Sequence, residues 1–133
     1  MEAVTLSLLL WLNAHGFAAC GGQPDVRQVP DAQTHEYMGW YQDGVVMLST
    51  RFDYDGLFVE ASQQRAKLAR SALLHELVHF CQAQRDGPIN PLSERAWLAR
   101  ENEAYAVQTR YLREHGSFTV LVWRRDAEDE EHP

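Results

Sequence analysis

The chain has 133 residues, of which 45% are hydrophobic and 23% are charged, and this composition is typical of a globular domain rather than a disordered protein. A chain of this length buries a core without help from disulfides, so a disulfide-dense scaffold is excluded as well. The formal net charge is −7 and no segment clusters the basic side chains that a nucleic-acid backbone requires, so we expect no nucleic-acid partner.

The first predicted element is a short apolar helix over residues 3–15, which is expected to pack in the core. Its apolar stretch over residues 4–12 is far shorter than the roughly twenty residues that span a bilayer, so we expect no transmembrane segment. The tetrapeptide Phe17-Ala18-Ala19-Cys20 is similar to a lipoprotein cleavage box, but no Lys or Arg precedes it. We therefore expect a cytoplasmic location and keep export, or attachment as a lipoprotein, as the alternative.

The small antiparallel sheet that we predict is built on a hairpin. Residues 38–42 and 45–50 are rich in aromatic and β-branched side chains. The Asp43-Gly44 dipeptide between them favours a tight hairpin turn. A further short strand is expected over residues 26–29, after a connector that contains prolines.

Two long helices follow in the prediction. Residues 60–85 contain no Pro or Gly and many helix formers, which predicts a single helix. A second helix is expected to begin at Asn90-Pro91, where asparagine offers a cap and proline fits the first turn, and to end at Gly116.

The C-terminal segment divides into a strand and a tail. Residues 117–124 are apolar and β-branched enough to predict a last strand. Five of the last eight residues are acidic, so residues 126–133 are expected to form a solvated tail. The predicted organisation is one α+β domain over residues 1–125, followed by this acidic tail.

The first long helix carries the sequence His75-Glu76-Leu77-Val78-His79, an HExxH motif. Residues four apart on a helix differ by about 40° around its axis, so His75 and His79 lie one turn apart on one face and can bind the same metal ion. Glu76 is one step round the helix, where its carboxylate can reach a metal-bound water without being a ligand. A chance occurrence of the motif would bury these polar side chains among apolar neighbours at a high cost. The pattern predicts a zinc site with His75 and His79 as ligands and Glu76 as the catalytic residue.

A catalytic zinc ion takes three protein ligands, so the third must come from outside this helix. The second helix offers two candidates, Glu101 and Glu103. Glu101 shares a helix face with Trp97 and Tyr105, which makes it a real competitor. Glu103 lies on a stripe of small residues that would let two helices approach closely: Ala96, Ala99, Ala106 and Val107. We favour Glu103 as the third zinc ligand.

The HExxH motif and the downstream sequence Asn102-Glu103-Ala104-Tyr105 together resemble the gluzincin branch of the zincin metallopeptidases. The resemblance covers roughly residues 38–112. It implies a compact zincin-like domain with a small antiparallel sheet, an active-site helix and a glutamate helix. It also implies that the strand over residues 45–50 lines the cleft and pairs with an extended substrate.

The resemblance further assigns roles to the site residues. It implies that His75, His79 and Glu103 bind Zn²⁺ and that Glu76 is the general base. The chain departs from the branch at Val107, where an aspartate often orients a histidine ligand. The candidates for this supporting role are Gln82 and Gln108.

The function that these features imply is zinc-dependent hydrolysis of a peptide or protein substrate. The ion would lower the pKa of its water, and Glu76 would pass the proton of that water to the leaving amine. Tyr105, Tyr111 and His115 are candidate donors to the developing oxyanion. One alternative is a zinc-binding module of the same fold that cleaves poorly and acts in protein interaction. Another is a metal-free helical interaction protein in which the motif is accidental.

The two cysteines, Cys20 and Cys81, can form one disulfide at most, and the sequence leaves their pairing open. Cys81 lies about 200° round the helix from His79, so it cannot bind the same ion. We interpret Cys81 as a buried thiol.

Overall fold

A computed structural model describes residues 2–34, 37–50, 63–88 and 93–116, with no side chains described at residues 63–66. The described residues form three α-helices, one short 3-10 helix and a three-stranded sheet. The α+β class expected from the sequence is therefore confirmed. Several predicted features lie outside the described residues: the start of the first long helix, Asn90-Pro91, the strand at residues 117–124, the domain boundary at residue 125 and the acidic tail.

The first helix, α1 (Glu2–Ala14), packs one face into the core and exposes another. Leu6 and Leu10 are 46% and 59% exposed, so the expectation that this apolar helix is buried holds for one face only. Neither α1 nor any other helix in the described part of the chain is long and apolar enough to cross a membrane. The buried face of α1 carries Leu8, Leu9 and Leu12.

The sheet consists of β1 (Asp25–Val29), β2 (Gly39–Gln42) and β3 (Val45–Ser49), in the order β1-β3-β2. Strands β2 and β3 form the predicted antiparallel hairpin. Its turn places Asp43 and Gly44 at φ angles of 50° and 82°, the left-handed region that this dipeptide tolerates. The hairpin prediction is confirmed.

Strand β1 runs parallel to β3, so the sheet is mixed. The expectation of an antiparallel sheet is wrong for this strand. A parallel pair requires a crossover connection, which here is the segment that contains the 3-10 helix Asp31–Thr34. The residues of the hairpin turn fix only the local pairing, and they carry no information about this long-range one.

Strand β3 is the central strand of the sheet, so neither of its edges is free. Strand β3 is hydrogen-bonded to β1 on one side and to β2 on the other. A strand with both edges paired cannot also pair with an extended substrate, so the expectation that residues 45–50 do so is wrong. Strand β2 instead packs directly against the first long helix.

The two long helices are α2 (Gln63–Asp86) and α3 (Glu94–Glu114), in agreement with the sequence over the described residues. Helix α3 is capped by Ser93, whose hydroxyl accepts a hydrogen bond from the backbone N–H of Ala96 at 3.1 Å. This bond satisfies a free N–H group of the first turn, whereas the cap predicted at Asn90 lies outside the described residues.

Helix α2 lies at the centre of the fold, in contact with α1, α3, β2 and β3. Apolar side chains before and between the two histidines of the motif are completely buried, namely Leu73, Leu74, Leu77 and Val78. Their burial fixes the rotation of α2 about its axis. It therefore also fixes the direction in which the polar side chains of the motif point.

A disulfide joins the segment after α1 to α2. It links Cys20 to Cys81, with a Cα–Cα distance of 5.2 Å. The side-chain amide of Asn13 donates to the carbonyls of Phe17 and Cys20, which braces the same segment. Cys81 is buried as expected, but its interpretation as a free thiol is wrong.

Candidate metal centre

The two histidines of the motif meet on the face of α2 that points toward α3. His75 and His79 are 6% and 5% exposed, and their Nε2 atoms are 3.3 Å apart. Two nitrogens that bind one tetrahedral zinc ion at about 2.0–2.1 Å are themselves about 3.3 Å apart. The predicted pair of histidine ligands therefore has the separation that a shared ion requires.

The third donor at this point is Glu101 on α3. One carboxylate oxygen lies 3.1 Å from His75 Nε2, and the other lies 2.6 Å from His79 Nε2. Each of the three residues offers a ligand atom, and these atoms all lie within 4.8 Å of one another. Within the described part of the chain, this is the group of His, Cys, Asp and Glu side chains that could hold an ion.

Glu103, which we favoured as the third ligand, lies elsewhere. Its carboxylate accepts two hydrogen bonds from the guanidinium of Arg85, at 2.9 and 2.7 Å. It accepts another from the side-chain amide of Gln82, at 2.8 Å. The structure thus corrects the predicted ligand set, because Glu101 and not Glu103 is brought to the histidines.

Both glutamates contact α2, and the rotation of α3 about its axis decides which of them reaches the two histidines. Ala99 and Ala106, which belong to the small-residue stripe that favoured Glu103, are exposed. The face toward α2 instead contains Ala104 and Gln108, both buried, and Glu101 lies three residues before the first of them. The sequence does contain a signal for Glu101, because Glu101 shares a helix face with two aromatic residues.

A glutamine fixes the orientation of each histidine. The Nδ1 atom of His79 lies 2.8 Å from the side-chain oxygen of Gln82, whose amide nitrogen donates to the backbone carbonyl of Arg100 at 2.9 Å. A carbonyl can only accept, so the amide nitrogen of Gln82 faces Arg100 and its oxygen faces the imidazole. His79 must therefore donate from Nδ1, and its Nε2 atom is the one that faces the candidate site.

The same logic applies to His75. Its Nδ1 atom lies 3.0 Å from the side-chain oxygen of Gln108, whose nitrogen donates to the hydroxyl of Ser71. That hydroxyl in turn donates to the backbone carbonyl of Leu68 at 2.7 Å. The structure thus places Gln82 and Gln108, the predicted supporting residues, against the two histidines, where each glutamine accepts from Nδ1 and leaves Nε2 facing the candidate site.

Glu76 lies beside the three candidate ligands but does not belong to their group. It is 8% exposed, and burial raises the pKa of its carboxyl although the two histidines oppose this shift. This is the environment expected of a carboxylate that exchanges protons.

Gly39 at the start of β2 makes room for Glu76. A Cβ atom at this position would lie 2.9 Å from Cγ of Glu76 and 3.3 Å from one of its carboxylate oxygens. Gly39 is not among the site residues predicted from the sequence. The available signal was a glycine in a predicted strand, which often marks a close approach.

Of the three predicted oxyanion donors, Tyr105 lies at the site. Its ring packs edge-on against His75, with the ring centroids 4.4 Å apart. Burial, together with the nearby carboxylates, raises the pKa of Tyr105 to about 12, so its hydroxyl keeps its proton at neutral pH. Tyr111 and His115 stack on each other near the end of α3, where Tyr111 contacts Trp11, and are not brought to the histidines.

The charges of the centre favour a cation. Burial by itself would raise the pKa of Glu101, but hydrogen bonds with the two histidines lower it to about 2. Burial would lower the pKa of His79, but the hydrogen bond with Glu101 and the charge of Glu76 raise it to about 9. The two buried carboxylates therefore require positive charge close by, which either protons on the imidazoles or a divalent cation can supply.

The site residues therefore fit a metal ion by separation, tautomer and charge. Two imidazoles and one carboxylate suit zinc and several other first-row transition metals, and three protein ligands leave a coordination position for water. Comparisons of the chain with family models, with curated proteins and with solved structures find no match.

Proposed function

We propose that the protein is a zinc-dependent hydrolase of peptide bonds, with His75, His79 and Glu101 as the metal ligands. The observation that carries the proposal is the convergence of these three donors next to Glu76, a buried carboxylate outside the ligand set. Zinc is the ion we propose, because imidazole and carboxylate donors with one open position are its usual catalytic environment.

When bound, Zn²⁺ would supply a Lewis acid that polarises the scissile carbonyl and makes a water acidic enough to attack it. Glu76 takes the proton of the attacking water and passes it to the leaving amine. The raised pKa of Glu76 suits this task, because a carboxylate with a raised pKa is a stronger base toward the proton of water.

Tyr105 is the residue that we propose as the oxyanion donor. Its ring lies against His75, and its high pKa keeps the hydroxyl protonated while the reaction proceeds. A neutral donor next to the reacting carbonyl stabilises the negative charge that develops on the carbonyl oxygen.

The change Glu76→Gln tests the enzymatic role. It retains the shape of the side chain but removes the base, so we expect hydrolysis of a broad peptide mixture to fall by about 10²- to 10⁴-fold. Zinc content should be unchanged, because Glu76 is not among the candidate ligands. The matched control is Glu114→Gln on α3, which removes an exposed glutamate paired with Arg110.

The outcome separates the enzyme from its alternative. A wild-type protein that binds zinc but cleaves nothing in the mixture would contradict the enzymatic proposal and favour a zinc-binding module in protein interaction. Equal hydrolysis by the wild type and Glu76→Gln would also contradict it.

The disulfide bears on where the protein works. Disulfides persist in oxidising compartments and are rare in the cytoplasm. Because Cys20 and Cys81 are paired, we propose export over the cytoplasmic location expected from the sequence. Acid quenching of cells that express the protein, followed by unfolding and thiol alkylation, should leave both cysteines unmodified, whereas alkylation of both would contradict the proposal.

A further inference from the structure

The two candidate ligand histidines are supported by networks of different charge. The network behind His75 runs through Gln108 and Ser71 to a backbone carbonyl, so its members are neutral. The network behind His79 runs through Gln82 to Glu103 and so contains a carboxylate. This asymmetry gives Glu103 a function other than ligation.

Gln82 is the link between the two helices in the charged network. It is fully buried on α2, and its amide nitrogen donates to two acceptors on α3, the backbone carbonyl of Arg100 at 2.9 Å and the carboxylate of Glu103 at 2.8 Å. Its oxygen is the atom that accepts from His79. All the hydrogen-bonding groups of the Gln82 side chain are thus used, and the amide has one orientation.

Glu103 is itself held in place by Arg85. The guanidinium donates to both carboxylate oxygens, at 2.9 and 2.7 Å, in a bidentate pair. Hydrogen bonds with Arg85 and Gln82 lower the pKa of the Glu103 carboxyl, so it carries its charge at neutral pH. A fixed negative charge therefore lies directly behind the amide that orients His79.

Such a charge strengthens the hydrogen bond on the other side of the amide. A carboxylate that accepts from an amide nitrogen polarises the amide and makes its oxygen a better acceptor. A better acceptor at Nδ1 makes the opposite nitrogen of the imidazole a stronger metal donor and holds the ring at a fixed angle. The effect reaches His79 and not His75.

We propose that Glu103 is a positioning residue, which tightens metal binding by acting through Gln82 on His79. The proposal rests on the metal site of the proposed function. In this proposal two hydrogen bonds, through Gln82, separate Glu103 from the imidazole ring of His79. The ligand role belongs to Glu101.

The test is a zinc affinity titration of the full chain against a chromophoric chelator. Glu103→Gln keeps the size of the side chain and removes its charge, and we expect about a 3- to 10-fold weaker affinity, at or below the lower end of the range for residues that directly support a ligand. Glu114→Gln, which removes another arginine-paired glutamate from the same helix, should bind zinc as tightly as the wild type.

A double-mutant cycle shows whether Glu103 acts through Gln82. We expect Gln82→Ala to weaken zinc binding by about 10- to 100-fold. Adding Glu103→Gln to it should cause no further loss, because the link is already broken. The visible absorption of bound Co²⁺ should shift in Glu103→Gln, which a change in stability alone would not produce.

Three results would overturn the proposal. The first is a zinc affinity of Glu103→Gln equal to that of the wild type. The second is a double mutant whose fold-loss of zinc affinity equals the product of the fold-losses of the two single variants. Because Glu103 is partly exposed and glutamine has the same shape, the variant is expected to fold, and Glu103→Ala serves as a second test with the same expected direction. A wild type that binds no ion would overturn both this inference and the proposed function, whereas the first two results leave that function standing.

Discussion

At the scale of single residues, proton and metal compete for the same atoms. The Nε2 atom of His79 lies 2.6 Å from a carboxylate oxygen of Glu101, and this pairing raises the pKa of His79 to about 9. Gln82 holds the other ring nitrogen as a donor, so the exchangeable proton is the one on the nitrogen that would bind a metal.

We therefore expect zinc binding to release a proton. In protein stripped of metal, His79 is protonated below a pH of about 9, so at pH 7 an incoming ion must displace that proton. The apparent association constant should rise by about tenfold per pH unit and level off near pH 9. Calorimetry in buffers of different ionisation enthalpy measures the number of protons released, and a value of zero at pH 7 would contradict this account.

At the scale of the elements, the site depends on how closely β2 and α2 approach each other. A side chain at Gly39 would collide with Glu76, since its Cβ would lie 2.9 Å from a carbon atom of that side chain. The strand can lie this close to the helix only because glycine has no side chain.

We expect Gly39→Ala to displace Glu76 and to lower the rate of peptide hydrolysis by about tenfold or more, because a misplaced base transfers protons poorly. Zinc content should stay at the wild-type level, because the collision does not involve the candidate ligands. The control is Gly21→Ala, where an added Cβ has nothing within 4 Å. Equal rates for the two variants would contradict the role of this close approach.

The parts of the site that lie on one helix could be predicted directly from the sequence, whereas the second helix supplied candidates among which the sequence did not choose correctly. The helical period alone puts His75 and His79 on one face, with Glu76 one step away. The choice between Glu101 and Glu103 depends on which face α3 turns toward the two histidines. That face is set by the packing of side chains across the interface, which the spacing of residues along one chain does not contain.

The same division holds for the sheet. The Asp43-Gly44 turn predicts its own hairpin because the required backbone angles are local. The parallel pairing of β1 with β3 joins segments that are separated by a crossover, and no residue in either strand specifies it.

At the scale of the whole molecule, one covalent link connects the N-terminal region to the helix that carries the motif. The disulfide joins residues 61 positions apart, and Cys81 lies two residues after His79. The side chain of Gln84, also on α2, exchanges two hydrogen bonds with the backbone of Gly21. The segment after α1 is therefore fastened to α2 near the metal centre.

We expect loss of this disulfide to lower the free energy of unfolding by about 3–4 kcal/mol, because it restricts a long loop in the unfolded chain. Denaturant unfolding of the wild type and of a Cys20→Ala, Cys81→Ala double variant measures the difference. The wild type should show no free thiol after unfolding without reductant. Two titratable thiols, or equal stability of the two proteins, would contradict the structure.

The most direct test of the account is the metal content of three purified proteins, the wild type, Glu101→Ala and Glu103→Ala, measured by plasma mass spectrometry after dialysis against dilute zinc. We expect about one zinc ion per chain in the wild type and in Glu103→Ala, and a large loss in Glu101→Ala. A wild type without zinc, or zinc retained in Glu101→Ala and lost in Glu103→Ala, would contradict this expectation.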